Sequence, residues 1–160
     1  MKTKRDDLQV GDIAPAFELT AGDGAVHRLG DYQGRWLVLY FYPRDNTPGC
    51  TLEACDFRDA HPLLVRNNVA VVGISADSVA SHAKFQHKYG FGFPLLSDPK
   101  RNVSRAYGVW QEKSLYGQKS MGIVRSTFVI DPDQLLRNIY RNVRAKGHVQ
   151  EIVDFLTAAS

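Results

Sequence analysis

Apolar residues in this chain fall into runs and periodicities that mark most of its elements. Trp36 to Tyr42 (WLVLYFY) is continuously apolar and aromatic, which predicts a central strand buried on both faces, ended by Pro43. Val69 to Ser75 (VAVVGIS) predicts a second strand of the same kind. Phe17 to Thr20 and the residues around Val26 predict a short hairpin joined by Gly22-Asp23-Gly24. Phe93 to Leu96 predicts a short edge strand. Ser126 to Asp131 (STFVID) and Leu135 to Arg141 (LLRNIYR) flank Pro132-Asp133, a turn pair, and predict a second hairpin. Between these strands the pattern is helical. One helix is expected from about Pro48 to about Asn67, with Pro62 kinking or dividing it near Ala60. Another spans Ser78 to Tyr89, with Val79, Ala83 and Phe85 toward the core and Gly90 as its stop. Lys100 to Tyr107 is a short helix closed by Gly108. Gly147 leads into a last helix with Val149, Ile152, Val153 and Leu156 on one face.

The element order is β-α-β-α, then a β-hairpin, then α, preceded by the N-terminal hairpin. This is an α/β chain in the thioredoxin-like order, with a mixed central sheet flanked by helices and an N-terminal β-hairpin extension. Its two crossover helices are expected on opposite faces or flanking a mixed sheet. A length of 160 residues suits one domain, 1–160.

Charge narrows the function classes. The net charge of +3 and a pI of about 8.9 are mildly basic, short of what a nucleic-acid binder carries. The most basic stretch holds Arg137, Arg141, Arg144 and Lys146 and reads as a solvated strand end and loop. The N-terminus, MKTKRDDLQVGD, has no apolar run of a secretory signal, and Trp36 to Tyr42 is too short to span a membrane. A cytoplasmic location is expected. In that compartment a cysteine pair is more often catalytic or metal-binding than a structural disulfide. The only two cysteines, Cys50 and Cys55, are therefore the informative residues.

Thr47-Pro48-Gly49-Cys50 reads as a helix start. Thr47 is a favoured N-cap and Pro48 suits the first helical position. Cys50 falls at the third helical position, beside unpaired backbone N–H groups and the positive end of the macrodipole. An unassisted thiol is only about 3% ionised at pH 7. A helix N-terminus typically supplies about 0.3–1 kcal/mol, up to about 2 in partly buried sites, against roughly 1.4 kcal/mol per pKa unit, so the dipole alone is expected to leave Cys50 largely protonated. A fixed cation would complete the activation, and Arg44, Arg58 and Arg125 are all candidates.

Cys55 lies five residues on. On an ideal helix this spacing separates the Cα atoms by about 8–9 Å. Disulfides need less than about 7 Å, so joining the two cysteines requires local unwinding. The spacing is also wrong for a C-x-x-C redox pair, which counts against a protein-disulfide oxidoreductase. Two cysteines without a spaced histidine pair do not complete a zinc site. His27, His61, His82, His87 and His148 are scattered and read as surface or core residues. Trp110, Phe91 and Phe93 read as core or pocket rim.

Pro43-x-x-x-Thr47-x-x-Cys50, within FYPRDNTPGCTLEACDFRD, resembles the active-site motif of the peroxiredoxins. The added Cys55 in PGCTLEAC makes it similar to the bacterioferritin-comigratory-protein, or Q, type. The resemblance extends through GDIAPAFEL, VVGIS, FPLLSDP, YGVW and RSTFVID to the final helix. It implies a thiol peroxidase acting on hydrogen peroxide and small alkyl hydroperoxides, without cofactor or metal. Cys50 matches the peroxidatic cysteine, which becomes a sulfenic acid. Thr47 matches the threonine that contacts thiolate and peroxide, and Pro43 the proline that shields the cysteine. Arg125 matches the arginine that stabilises thiolate and transition state. Cys55 matches the resolving cysteine of one subgroup, forming an intramolecular Cys50–Cys55 disulfide. The resemblance further implies recycling by a thioredoxin- or glutaredoxin-type reductant, a monomer that at most dimerises weakly, and no nucleic-acid or membrane partner. No Gly-Gly-Leu-Gly insert is present, which in this family implies modest resistance to overoxidation. A non-enzymatic holdase role has no residue pattern behind it.

Overall fold

A computed structural model describes residues 7–159 of the chain; the first six residues of the N-terminal segment read above lie outside it. Strands β1 (Glu18–Ala21) and β2 (Val26–Arg28) form the N-terminal hairpin, followed by a 3-10 turn at Leu29–Tyr32. Then come β3 (Trp36–Phe41), α1 (Pro48–Arg66), β4 (Val69–Ser75), α2 (Val79–Tyr89), β5 (Leu95–Ser97) and α3 (Asn102–Ala106). The chain continues through β6 (Trp110–Leu115), β7 (Gln118–Ile123), β8 (Ser126–Ile130), β9 (Leu136–Tyr140) and α4 (His148–Ala159).

Seven strands make one mixed sheet in the order β2-β1-β5-β4-β3-β8-β9. At its centre Leu39 pairs in parallel with Val72 of β4 and antiparallel with Phe128 of β8. β3 is buried on both faces because its side chains alternate between two cores. Leu37, Leu39 and Phe41 join Val72, Ile74, Tyr107 and Phe128 on one side. Val38, Tyr40 and Tyr42 join Phe57 of α1, Phe85 of α2 and Ile152 of α4 on the other. Both crossover helices therefore pack on the same face, not on opposite faces. β3, β4 and β5 are successive neighbours running parallel, and right-handed connections between such strands put both helices on one side.

Three other expectations are corrected. β5 is not an edge strand, because β1 pairs with it through Thr20–Ser97 and Ala21–Leu96. Helix α1 is not divided at Pro62. Phe57 and Leu64, on either side of that proline, are both buried in the α-helical core, and this packing holds the helix together across the missing N–H. On α2 the buried residues are His82 and Phe85, whereas Ala83 is exposed and Val79 half-buried. The β6–β7 ribbon was not foreseen. Its residues from Gln118 to Met121 are exposed, so it has no apolar alternation, and its only strong signal is the Tyr116-Gly117 turn, with φ of 53° and 78°. No helix among the described residues is long and apolar enough to cross a membrane.

Candidate active site

The site lies where β3 hands over to α1. A buried polar network fixes this loop. Asp45 accepts hydrogen bonds from the Tyr42 hydroxyl at 2.6 Å and the Ser81 hydroxyl at 2.8 Å, and pairs with His82 Nδ1 at 2.7 Å. The backbone N–H of Asp45 donates to Asp77, which also accepts from the Ser75 hydroxyl. His82 Nε2 lies 3.0 Å from the Leu96 carbonyl. The facing atoms of Asp45, Asp77 and His82 come within 4.8 Å of one another, and hydrogen bonds within the protein occupy them. The loop leading to Cys50 is thereby tied to β4, α2 and β5.

Asn46 takes a left-handed conformation, and the chain turns into α1 with Thr47 at the N-cap and Pro48 in the first turn. The Thr47 side chain makes no capping bond. Its hydroxyl donates to the Arg44 carbonyl at 2.9 Å, so capping is left to the backbone. Both hydroxyl lone pairs stay free to accept from another group. Cys50 follows in the first turn, and its side chain is buried, with 1% of the residue exposed.

Of the three candidate cations, Arg125 reaches Cys50. It immediately precedes β8, and its Nη2 donates toward Cys50 Sγ at 3.4 Å. Arg58 lies elsewhere, bonded to Asp59 and to the Tyr89 carbonyl. Arg44 is exposed at the rim of a cleft. Arg125 is held by Glu53, whose Oε1 accepts from Nη1 at 2.5 Å. Sequence reading missed Glu53, although it stands one helical turn beyond Cys50 and so shares its face. The Glu53 side chain is fully buried, and its Oε2 has no partner among the described residues. Burial pushes its carboxyl up to about 7, against the opposing pull of Arg125. Burial works against the Arg125 charge, but Glu53 and Cys50 outweigh it and raise the guanidinium above its ordinary value. One cation thus faces two buried acids.

Tyr40 lies beneath this group, with its hydroxyl buried and without a partner among the described residues. It fits there because Gly73 of β4 has no side chain: a Cβ would stand 2.9 Å from the phenol oxygen. Cys55 is half-buried further along α1, and burial raises its thiol, partly offset by Arg58. Both cysteines are free thiols within the unbroken helix. Pro43 and Thr47 border a cleft of about 470 Å³ whose far wall is formed by Trp110, Lys113 and Met121 of the β6–β7 ribbon. His148 is a buried core residue, with Nε2 2.7 Å from the Thr127 hydroxyl. Two cations of the basic stretch serve packing: Arg137 covers Trp36, and Arg141 lies over Phe128.

A family model described as the AhpC/TSA family matches residues 10–139. The chain is similar to a peroxiredoxin Bcp of Bacillus subtilis, 43% identical over 149 residues that cover 93% of this chain and 95% of the relative. It is 39% identical over 149 residues to a peroxiredoxin Bcp of Escherichia coli, covering 93% and 96% of the two chains. Among solved structures, a Xanthomonas campestris bacterioferritin comigratory protein, studied for alkyl peroxide reduction, superimposes with a TM-score of 0.85 at 39% identity, covering 89% and 91%. A cysteine-to-serine mutant of Xylella fastidiosa PrxQ reaches 0.90 at 38% identity, covering 95% and 97%. The chain belongs to the AhpC/TSA family and, within it, to the peroxiredoxins of the bacterioferritin-comigratory-protein, or Q, type.

Proposed function

We propose that the protein is a thiol peroxidase in which Cys50 reduces hydrogen peroxide and small alkyl hydroperoxides and Cys55 resolves the oxidised product. The observation that carries this reading is the Arg125 guanidinium 3.4 Å from a buried cysteine sulfur in the first turn of a helix. The Cys50 thiolate attacks the distal oxygen of the hydroperoxide. A sulfur–oxygen bond forms and the O–O bond breaks. The alkoxide leaves with the bonding pair and takes up a proton to become the alcohol. Charge develops on that leaving oxygen, where a fixed guanidinium stabilises it most. Glu53 holds the guanidinium in place, Thr47 offers its free hydroxyl lone pairs, and Pro43 walls the sulfur from bulk water.

Cys50 is then a sulfenic acid. The Cys55 thiolate attacks its sulfur, the disulfide forms, and hydroxide leaves as water. The ideal-helix separation of about 8–9 Å requires the first turns of α1 to unwind for this step. A dithiol of thioredoxin or glutaredoxin type then reduces the disulfide through a mixed disulfide and becomes oxidised in turn. The whole of 1–160 acts as one domain, as a monomer in the cytoplasm.

The deciding experiment combines a reductase-coupled peroxidase assay with mass spectrometry after one equivalent of peroxide. Cys50→Ser is expected to abolish turnover. Wild type is expected to form a bond between Cys50 and Cys55. Turnover by Cys50→Ser would refute the peroxidatic assignment. Full thioredoxin-linked turnover by Cys55→Ser would refute the resolving assignment alone.

A further inference from the structure

The cleft that Pro43 and Thr47 border, in the segment leading into Cys50, carries an excess of positive charge that the steps above do not use. Arg44, Arg101 and Lys113 line it, against a single carboxylate, Asp77. That carboxylate is already engaged by the Asp45 N–H and the Ser75 hydroxyl. Among the described residues, none of the three cations has an ion-pair partner. Arg101 lies over the Trp110 ring at 4.9 Å and donates from Nη1 to the Pro99 carbonyl, while its buried Nε has no partner.

Lys113 is placed by its neighbour on β7. A Cβ at Gly122 would stand 3.2 Å from Lys113 Cδ and 3.3 Å from Cε. The missing side chain leaves a bed across the ribbon in which the lysine stem rests, with the residue lining the cleft that Pro43 and Thr47 border. The residue is half-buried on a ribbon otherwise largely exposed. Burial and the Arg125 charge both weaken its hold on the proton, and Cys50 opposes them.

Like charges gathered without a counter-ion cost free energy that an anionic ligand relieves. Trp110, Met121 and Ile123 supply an apolar part of the lining. A volume of about 470 Å³ accommodates a small organic molecule rather than hydrogen peroxide alone. We propose that Lys113, with Arg101 and Arg44, forms an anion-binding subsite beside Cys50 that selects organic hydroperoxides bearing a carboxylate. The carboxylate meets the cations, the hydrocarbon body lies on Trp110 and Met121, and the peroxide group reaches the sulfur past Thr47. This inference rests on the peroxidase reading above.

The test compares kcat/KM for cumene hydroperoxide with that for its ring-carboxylated analogue, in wild type, Lys113→Met and Lys113→Arg. Wild type is expected to favour the carboxylated peroxide. The ratio of the two values is expected to fall about 5- to 10-fold in Lys113→Met, to survive in Lys113→Arg, and to shrink with added salt. A ratio equal in wild type and Lys113→Met, with both peroxides turned over, would overturn the subsite and leave the peroxidase reading intact. Failure of wild type to turn over either peroxide would overturn both.

Discussion

Nη2 of Arg125 lies 3.4 Å from Sγ of Cys50, and the same guanidinium is anchored through Nη1 to Glu53. The arginine is thus a fork with one prong on the sulfur and the other on a buried carboxyl. Its removal should cost a transition-state donor, a loss of about 10²–10³-fold in kcat/KM for peroxide. Arg125→Lys should recover little, because an ammonium has no rigid fork to serve both partners. Steady-state peroxidase kinetics of Arg125→Met and Arg125→Lys measure this. A rate for Arg125→Met within a few-fold of wild type would exclude Arg125 from the reaction.

Glu53 should also leave a signature in stability. Its carboxyl is pushed from 4.5 to about 7 in the fold, so the folded chain binds more protons than the unfolded chain between those values. The resulting stability is fully present below about pH 4.5 and is lost as pH rises through 7. A shift of that size corresponds to a few kcal/mol, by the rule of about 1.4 kcal/mol per unit. Denaturant midpoints of wild type and Glu53→Gln should share a slope below about pH 4.5, separate between about 4.5 and 7 with wild type falling faster, and run parallel at a constant gap above that. Parallel curves would mean that Glu53 titrates alike in the folded and unfolded chains.

The parts of this architecture legible in the sequence are those fixed by local chemistry. β3 and β4 announce themselves as unbroken apolar runs, and the start of α1 by Thr47-Pro48 before Cys50. What was not legible depends on contacts distant in sequence. The role of β5 as an interior strand is set by β1, far earlier in the chain, through Thr20–Ser97 and Ala21–Leu96. By spacing and charge alone three arginines were equivalent; the family resemblance pointed to Arg125, and the closeness of the β8 start to the α1 start is what separates it physically from Arg44 and Arg58. Lys113 stands on a ribbon whose exposed β7 residues carry no apolar period, so neither the ribbon nor its lysine drew notice.

Disulfide formation should melt the start of α1. In the reduced protein, Cys50 and Cys55 belong to a continuous helix that begins at Pro48. Amide exchange after stoichiometric peroxide should therefore lose protection across the first two turns of α1, while β3 and β4 keep theirs. In Cys55→Ser the loss should not occur, and excess peroxide should instead add further oxygens to Cys50. Protection unchanged in oxidised wild type would rule out a bond between these two cysteines.

The Asp45–His82 pair should contribute stability at a distance from the chemistry. Both side chains are almost fully buried, and His82 links the loop before α1 to the Leu96 carbonyl. His82→Leu removes the imidazole contacts of two buried groups, the Asp45 carboxyl at Nδ1 and the Leu96 carbonyl at Nε2. The expected loss is about 1–3 kcal/mol, read from urea unfolding. A loss under about 1 kcal/mol would indicate that Tyr42 and Ser81 satisfy Asp45 without the histidine.

Gly49 offers a way to displace Arg125 without removing its charge. A Cβ at this position would stand 3.0 Å from Arg125 Nη2, tighter than normal contact. The guanidinium cannot simply swing aside, because Nη1 is bonded to the buried Glu53. It must move off the sulfur or stretch its hold on the carboxyl. A displacement of this kind costs about 10- to 100-fold in rate where orientation matters. Helix propensity acts the other way, since alanine is favoured over glycine by about 1 kcal/mol within a helix. Gly49→Ala should therefore unfold at the same or higher denaturant concentration while losing peroxidase activity. That opposition separates a positioning defect from general destabilisation. Activity within twofold of wild type would mean that the Arg125 contact with Cys50 relaxes around the new methyl without loss of geometry.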